Sequence, residues 1–146
     1  MNYFLKSIAT FFLLISVVAF AEPPQYTQDK PVIMATPKNP EFVIKLKSNR
    51  TTGYIWLLRE YDKNLITPIK HRYLSPISQL VGAPGFELWT FRVNAAGFTV
   101  PQLTYIRFVY ARPWEAATDQ SSLVEFKVTT QTTTSGSSTS HSQTLR

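Results

Sequence analysis

Beyond residue 21, no long stretch of this chain spaces its apolar residues at i, i+3, i+4 and i+7. Short apolar runs recur instead, many alternating with polar residues and broken by Gly, Pro and Asn. Alternation buries one face of a strand, whereas an amphipathic helix needs a period near 3.6 residues. The chain is therefore expected to be all-β. Residues 41–47 put Phe42, Ile44 and Leu46 on one face and Lys45 and Lys47 on the other. Residues 54–58 are apolar on both faces, as a central strand would be. Residues 68–73 form a weaker candidate. Residues 86–93 align Trp89, Phe91 and Val93, with Glu87 at the edge of that face. Residues 103–110 are rich in β-branched and aromatic side chains, and Val124, Phe126 and Val128 alternate with Glu125 and Lys127. Strands in this rhythm predict an antiparallel β-sandwich with Trp56, Trp89 and Phe108 in its core.

The ends of the chain read differently. Residues 1–21 carry one lysine, an apolar run from Ser7 to Val18, and Ala19-Phe20-Ala21. That layout is a secretory signal with cleavage expected after Ala21. The run is shorter than the ~20 residues that span a bilayer, so no stable membrane insertion is expected after cleavage. The protein is expected to be exported, periplasmic or secreted. It has no cysteine, so lipid attachment through a thioether is excluded and stability must come from a packed core without disulfides. Residues 22–36 hold Pro23, Pro24 and Pro31 and read as an extended lead-in with a short edge strand at Val32-Ile33-Met34. Residues 37–128 form the expected folded domain, taken as a monomer. Residues 129–146 are mostly Thr, Ser and Gln and are expected to be disordered.

The full chain has fifteen Lys and Arg, and losing Lys6 leaves fourteen against nine Asp and Glu, a net charge of +5. These cations are spread along the sequence. A nucleic-acid binder more often concentrates them in a stripe, so no nucleic-acid partner is expected and the surface reads as solvated. Nothing supports an enzyme. Thiol catalysis is impossible, and hydroxyl catalysis needs a base. Of the two histidines, His141 lies in the tail and His71 sits in Lys70-His71-Arg72, where it reads as a surface residue. No metal-type spacing and no phosphate-cradling loop accompany them. No cofactor or metal is expected.

Three loop segments remain. Asn49-Arg50-Thr51-Thr52-Gly53-Tyr54 joins two strands, Gly82-Ala83-Pro84-Gly85 joins two more, and Arg112-Pro113-Trp114 follows the strongest strand. The first alone reads as a turn in which Gly53 supplies a positive φ and the threonine hydroxyls bond local amides. The second alone reads as a hairpin tip. The third places a tryptophan beside an arginine in a loop, the composition of an interface anchor.

In this order and spacing the segments resemble the chagasin family of cysteine-peptidase inhibitors. That family carries an Asn-Pro-Thr-Thr-Gly-aromatic-x-Trp loop, a Gly-x-Gly-Gly loop and an Arg-Pro-Trp or Arg-Pro-Phe loop. Asn49, Thr51, Thr52, Gly53, Tyr54 and Trp56 match the first, Gly82 and Gly85 the second, and Arg112, Pro113 and Trp114 the third. Arg50 stands where the family has proline, and Pro84 where it has glycine. The resemblance implies an immunoglobulin-like sandwich whose loops gather at one end and enter the cleft of a papain-like cysteine peptidase. The Thr51-Thr52 loop would sit over the catalytic cysteine, the glycine loop along one side, and Trp114 against aromatics on the other. The alternative is an exported module that binds a surface glycan or adhesion partner, which would show an aromatic platform on a sheet face.

Overall fold

The computed structural model describes residues 22–78, 80, 82–115 and 122–132. The expected signal and nearly all of the expected tail lie outside them. Among the described residues, eight strands build two sheets: β1 (Gln25–Tyr26), β2 (Val32–Ala35), β3 (Glu41–Ser48), β4 (Ile55–Glu60), β5 (Ile66–Leu74), β6 (Gly85–Val93), β7 (Leu103–Ala111) and β8 (Ser122–Thr130). The first sheet runs β1-β3-β6-β5 and the second β2-β8-β7-β4. The two pack as an immunoglobulin-like sandwich.

The sandwich is not wholly antiparallel. β1 pairs parallel with β3, and β2 parallel with β8. Both lie before Pro37, so the proline-rich lead-in supplies a strand to each sheet. Ile33 and Ala35 of β2 are buried in the core. Prolines at the ends of these segments fit edge strands, where a missing donor is tolerated. At the other end, β8 continues past Val128 to Thr130.

Alternation built the core as expected. Phe42, Ile44 and Leu46 from β3 meet Phe91 and Val93 from β6, and across the sandwich Phe108, Phe126 and Val128. Phe42 stacks on Phe91 with centroids 5.7 Å apart, and Phe108 meets Phe126 edge-on at 6.2 Å. Fully buried aromatics carry most of a small core, since burial contributes about 25 cal/mol per Å2 of apolar area. Trp56 is 4% exposed and donates its indole Nε1–H to the Lys47 carbonyl at 2.9 Å. Trp89 is only partly buried and packs against this core.

Two expectations change here. The cations scattered in sequence are gathered by register: Lys45 and Arg72 flank Leu88, while Lys70 pairs with Thr90 and Lys47 with Phe86 on the same outer face of the first sheet. Residues two apart in a strand share a face, which a linear scan for clusters cannot see. His71 is not a plain surface residue either. A bulge between Pro68 and Lys70 turns it toward the sandwich. There it stacks on Trp89 with centroids 3.9 Å apart, and its Nε2 lies 2.9 Å from Glu87 Oε2. Glu87, expected at the edge of its face, is wholly buried.

Candidate functional site

All three loop segments project from the same end of the sandwich, beyond the C-terminal ends of β3 and β7 and the start of β6. The first is a single 3-10 turn over Arg50–Thr52. Asn49 caps it. Its Oδ1 accepts from the Thr51 amide at 3.2 Å and from Thr51 Oγ1 at 2.6 Å. Thr52 Oγ1 donates to the Asn49 carbonyl at 2.6 Å. The threonine hydroxyls therefore donate to oxygens of Asn49 instead of bonding local amides. Their protons are committed inside the loop. Gly53 closes the turn at φ +79°, with its amide bonded to the Arg50 carbonyl. An L-residue reaches that conformation at a cost.

Arg50 occupies the first position of the turn, where proline is favoured because its missing N–H would go unpaired anyway. With arginine at this position the turn forms and the Asn49 cap is in place. Its guanidinium lies 4.1 Å above the Tyr73 ring of β5. The charge is thus held toward the second loop.

The second loop holds Gly82 at φ +81° in an open position. Ala83 donates its amide to the Leu80 carbonyl at 3.1 Å. Pro84 is exposed and takes no positive φ, so the chain passes the third position of the loop, a glycine in the family, in an ordinary conformation. Gly85 begins β6, buried against the Leu74 carbonyl and Tyr73 hydroxyl, which leave no room for a Cβ. Ile77 and Leu80, just before this loop, are exposed large apolar residues.

The third loop turns at Arg112, whose carbonyl accepts from the Glu115 amide at 3.1 Å. Arg112 Nη1 pairs with Glu115 Oε1 at 2.8 Å, and this bond raises the guanidinium pKa above its ordinary value. The residue stays charged throughout the working range. Pro113 is exposed, and Trp114 is 72% exposed.

The loops are tied to one another. Asn49 Nδ2 donates to the Gly82 carbonyl at 3.1 Å, joining the first to the second. Arg112 Nε donates to the Thr52 carbonyl at 3.1 Å, joining the third to the first. The same guanidinium lies 4.7 Å from the Tyr54 ring centroid, and Trp114 reaches over Gly53. Tyr110 Oη accepts from the Asn49 amide at 2.9 Å, seating the turn on β7. All thirteen residues singled out in sequence therefore fall in one connected end of the molecule. Tyr73, Tyr110 and Glu115 belong to it as well. Only Glu115, adjacent to Trp114, carried a sequence signal. The two tyrosines act from strands, and their contacts lie far away in the chain. No group of His, Asp and Glu able to hold a metal occurs among the described residues. No helix among them is long and apolar enough to cross a membrane.

The sequence pattern of the chagasin family peptidase inhibitors matches residues 36–130. The chain belongs to the chagasin family of peptidase inhibitors. The chagasin of Trypanosoma cruzi is 36% identical to it over 75 residues, 49% of this chain and 64% of that protein. The match thus spans just under two thirds of the length of that relative. Among solved structures, a cysteine protease inhibitor from Entamoeba histolytica, EhICP2, superposes with a TM-score of 0.58 at 20% identity. That comparison covers 72% of this chain and 92% of the other. Amebosin gives a TM-score of 0.57 at 22% identity, over 76% of this chain and all of that one. At these identities the structural likeness concerns the fold. The chagasin family consists of inhibitors, and this chain is accordingly not an enzyme.

Proposed function

We propose that this chagasin-family chain is a reversible, non-covalent inhibitor of papain-like cysteine peptidases. Its three linked loops fill the active-site cleft, and it acts after export, in the periplasm or outside the cell. The observation that carries this reading is the pair of hydrogen bonds from Asn49 to Gly82 and from Arg112 to Thr52. They preset three loops as one wedge before any partner arrives. Preorganised loops lose less entropy on binding, and a rigid sandwich is a suitable frame for them. The 3-10 turn presents side-chain oxygens and a compact backbone instead of an extended peptide, so no bond is offered in the geometry a thiolate attacks. Trp114, exposed beside the turn, has the character of a hot spot. A buried patch of about 800 Å2 per partner is the usual scale for such complexes. The relatives named as chagasin and as a cysteine protease inhibitor support the same target class.

A glycan-binding module is disfavoured by where the aromatics lie. Phe86 and Tyr105 stand on the outer faces of opposite sheets, and Lys45 covers Phe86 at 4.1 Å. Neither face offers a planar aromatic platform among the described residues. The deciding experiment titrates the chain from Glu22 onward against several papain-like peptidases, with a serine peptidase as control. Competitive inhibition of the cysteine enzymes alone is expected. No inhibition of any of them at micromolar concentration would sink the proposal.

A further inference from the structure

A carboxylate sits at full burial in the sandwich, directly beneath the loops. Glu87 is 0% exposed, and its Oε1 accepts from Ser48 Oγ at 2.8 Å and from the Trp56 backbone amide at 3.3 Å. Its Oε2 meets His71 Nε2 at 2.9 Å. A buried carboxylate is costly unless several donors compensate it, so its placement is informative. Ser48 is the last residue of β3 and Trp56 the second of β4, so the two donors on Oε1 stand at the two feet of the first loop. Glu87 itself lies two residues into β6, just after the second loop. His71 is on β5, the strand that leads into that loop.

From this we infer that Glu87 is a positioning residue that registers the first and second loops against each other from below. One carboxylate, carried on β6, bonds to three other strands: β3 and β4 on either side of the turn, and β5, which leads into the glycine loop. A leucine in its place would fill the volume but hold none of them. Above it, Asn49 Nδ2 links the same two loops, so the pair is fixed at base and tip. His71, with its side chain 35% exposed and stacked on Trp89, is the outermost member of this set. No described residue of the third loop bonds to Glu87. Its influence on Trp114 runs only through the first loop.

This inference rests on the inhibitory reading for its functional consequence, though not for its structural one. The test compares E87Q, E87L and S48A with V128A, a core truncation near the opposite end of β8 that serves as the destabilised control. Hydrogen exchange of amides 49–54 and 82–86 is measured beside inhibition of a papain-like peptidase. Glutamine keeps the shape and one acceptor, so E87Q is the variant expected to fold. Its loop amides should exchange at least ten-fold faster than wild type while β7 and β8 amides keep their protection. Its inhibition constant should rise at least ten-fold, whereas V128A should inhibit as wild type. S48A should show the same pattern to a smaller degree. Unchanged loop exchange in E87Q, or exchange that rises equally throughout the sandwich, would overturn the inference. If wild type fails to inhibit while E87Q still loosens the loops, the positioning role stands and the inhibitory reading falls. If wild type inhibits and E87Q matches it in both inhibition and loop exchange, the inhibitory reading stands and the positioning role falls.

Discussion

Gly53→Ala probes the junction of the first and third loops. Gly53 sits at φ +79°, and a Cβ there would lie 2.9 Å from Trp114 Cη2, 3.2 Å from its Cζ2 and 3.6 Å from Arg112 Nε. Two effects follow. The left-handed backbone costs an alanine about 1–2 kcal/mol. The methyl also occupies space held by the indole, but Trp114 is 72% exposed and can swing outward at small cost to folding. Stability should therefore fall by about 1–2 kcal/mol in all, which for a domain of this size lowers Tm by roughly 5–15 °C. Inhibition should suffer more, because the displaced indole is the expected anchor. Loss of a hot spot costs at least ~2 kcal/mol, or about 30-fold in the inhibition constant. Gly53→Asn separates the two effects, since asparagine tolerates the left-handed region but keeps the clashing Cβ. It should lose nearly as much inhibition with little change in Tm. Denaturation scans and inhibition titrations of both variants make the comparison. If Gly53→Asn inhibits as wild type, the packing of Trp114 over the turn has no part in binding and the argument is wrong.

Thr51→Ala combined with Trp114→Ala should weaken inhibition by at least ~2 kcal/mol while leaving Tm within a few degrees, because both side chains are exposed. A double variant that fails to fold would show that they serve the scaffold. Asn49→Ala removes the turn's cap and its link to Gly82, and urea unfolding should register a loss of about 1 kcal/mol. Trp56→Ala should cost about 3–5 kcal/mol by the same measure, given its burial, and the Lys47 carbonyl loses its donor besides.

The strands and the loops were legible for different reasons. β3, β6 and β8 announce themselves by alternation, β7 by its β-branched and aromatic content, and β4 by an apolar run between turn signals. β1 is two residues in a proline-rich run, too short for any period to show. The loop residues are contiguous motifs, so their membership in one end of the fold could be anticipated. What ties them together could not. Asn49 and Gly82 are 33 residues apart, and Arg112 and Thr52 are 60. A hydrogen bond of that kind depends on register between strands, which a single sequence leaves open. His71 and Glu87 were misplaced for the same reason. The bulge before Lys70 shifts the side-chain alternation of β5, and a carboxylate whose partners are 16, 31 and 39 residues distant reads as an ordinary polar interruption.

The two parallel strands at the start of the domain also bear on when the chain can fold. Val32 pairs with Lys127 and Ala35 with Thr130, and β7 too is completed by β8. Two of the three pairings in the second sheet thus wait for the last strand to be synthesised. Contacts this distant in sequence raise contact order and slow folding, because loop closure must be paid before they form. A nascent chain lacking β8 can pair β4 with β7 but leaves β2 and the other edge of β7 without a partner strand, so its second sheet cannot close early. Under the export proposed above, such delay would keep the polypeptide extended enough to be threaded through a membrane pore and place the decisive folding step on the far side.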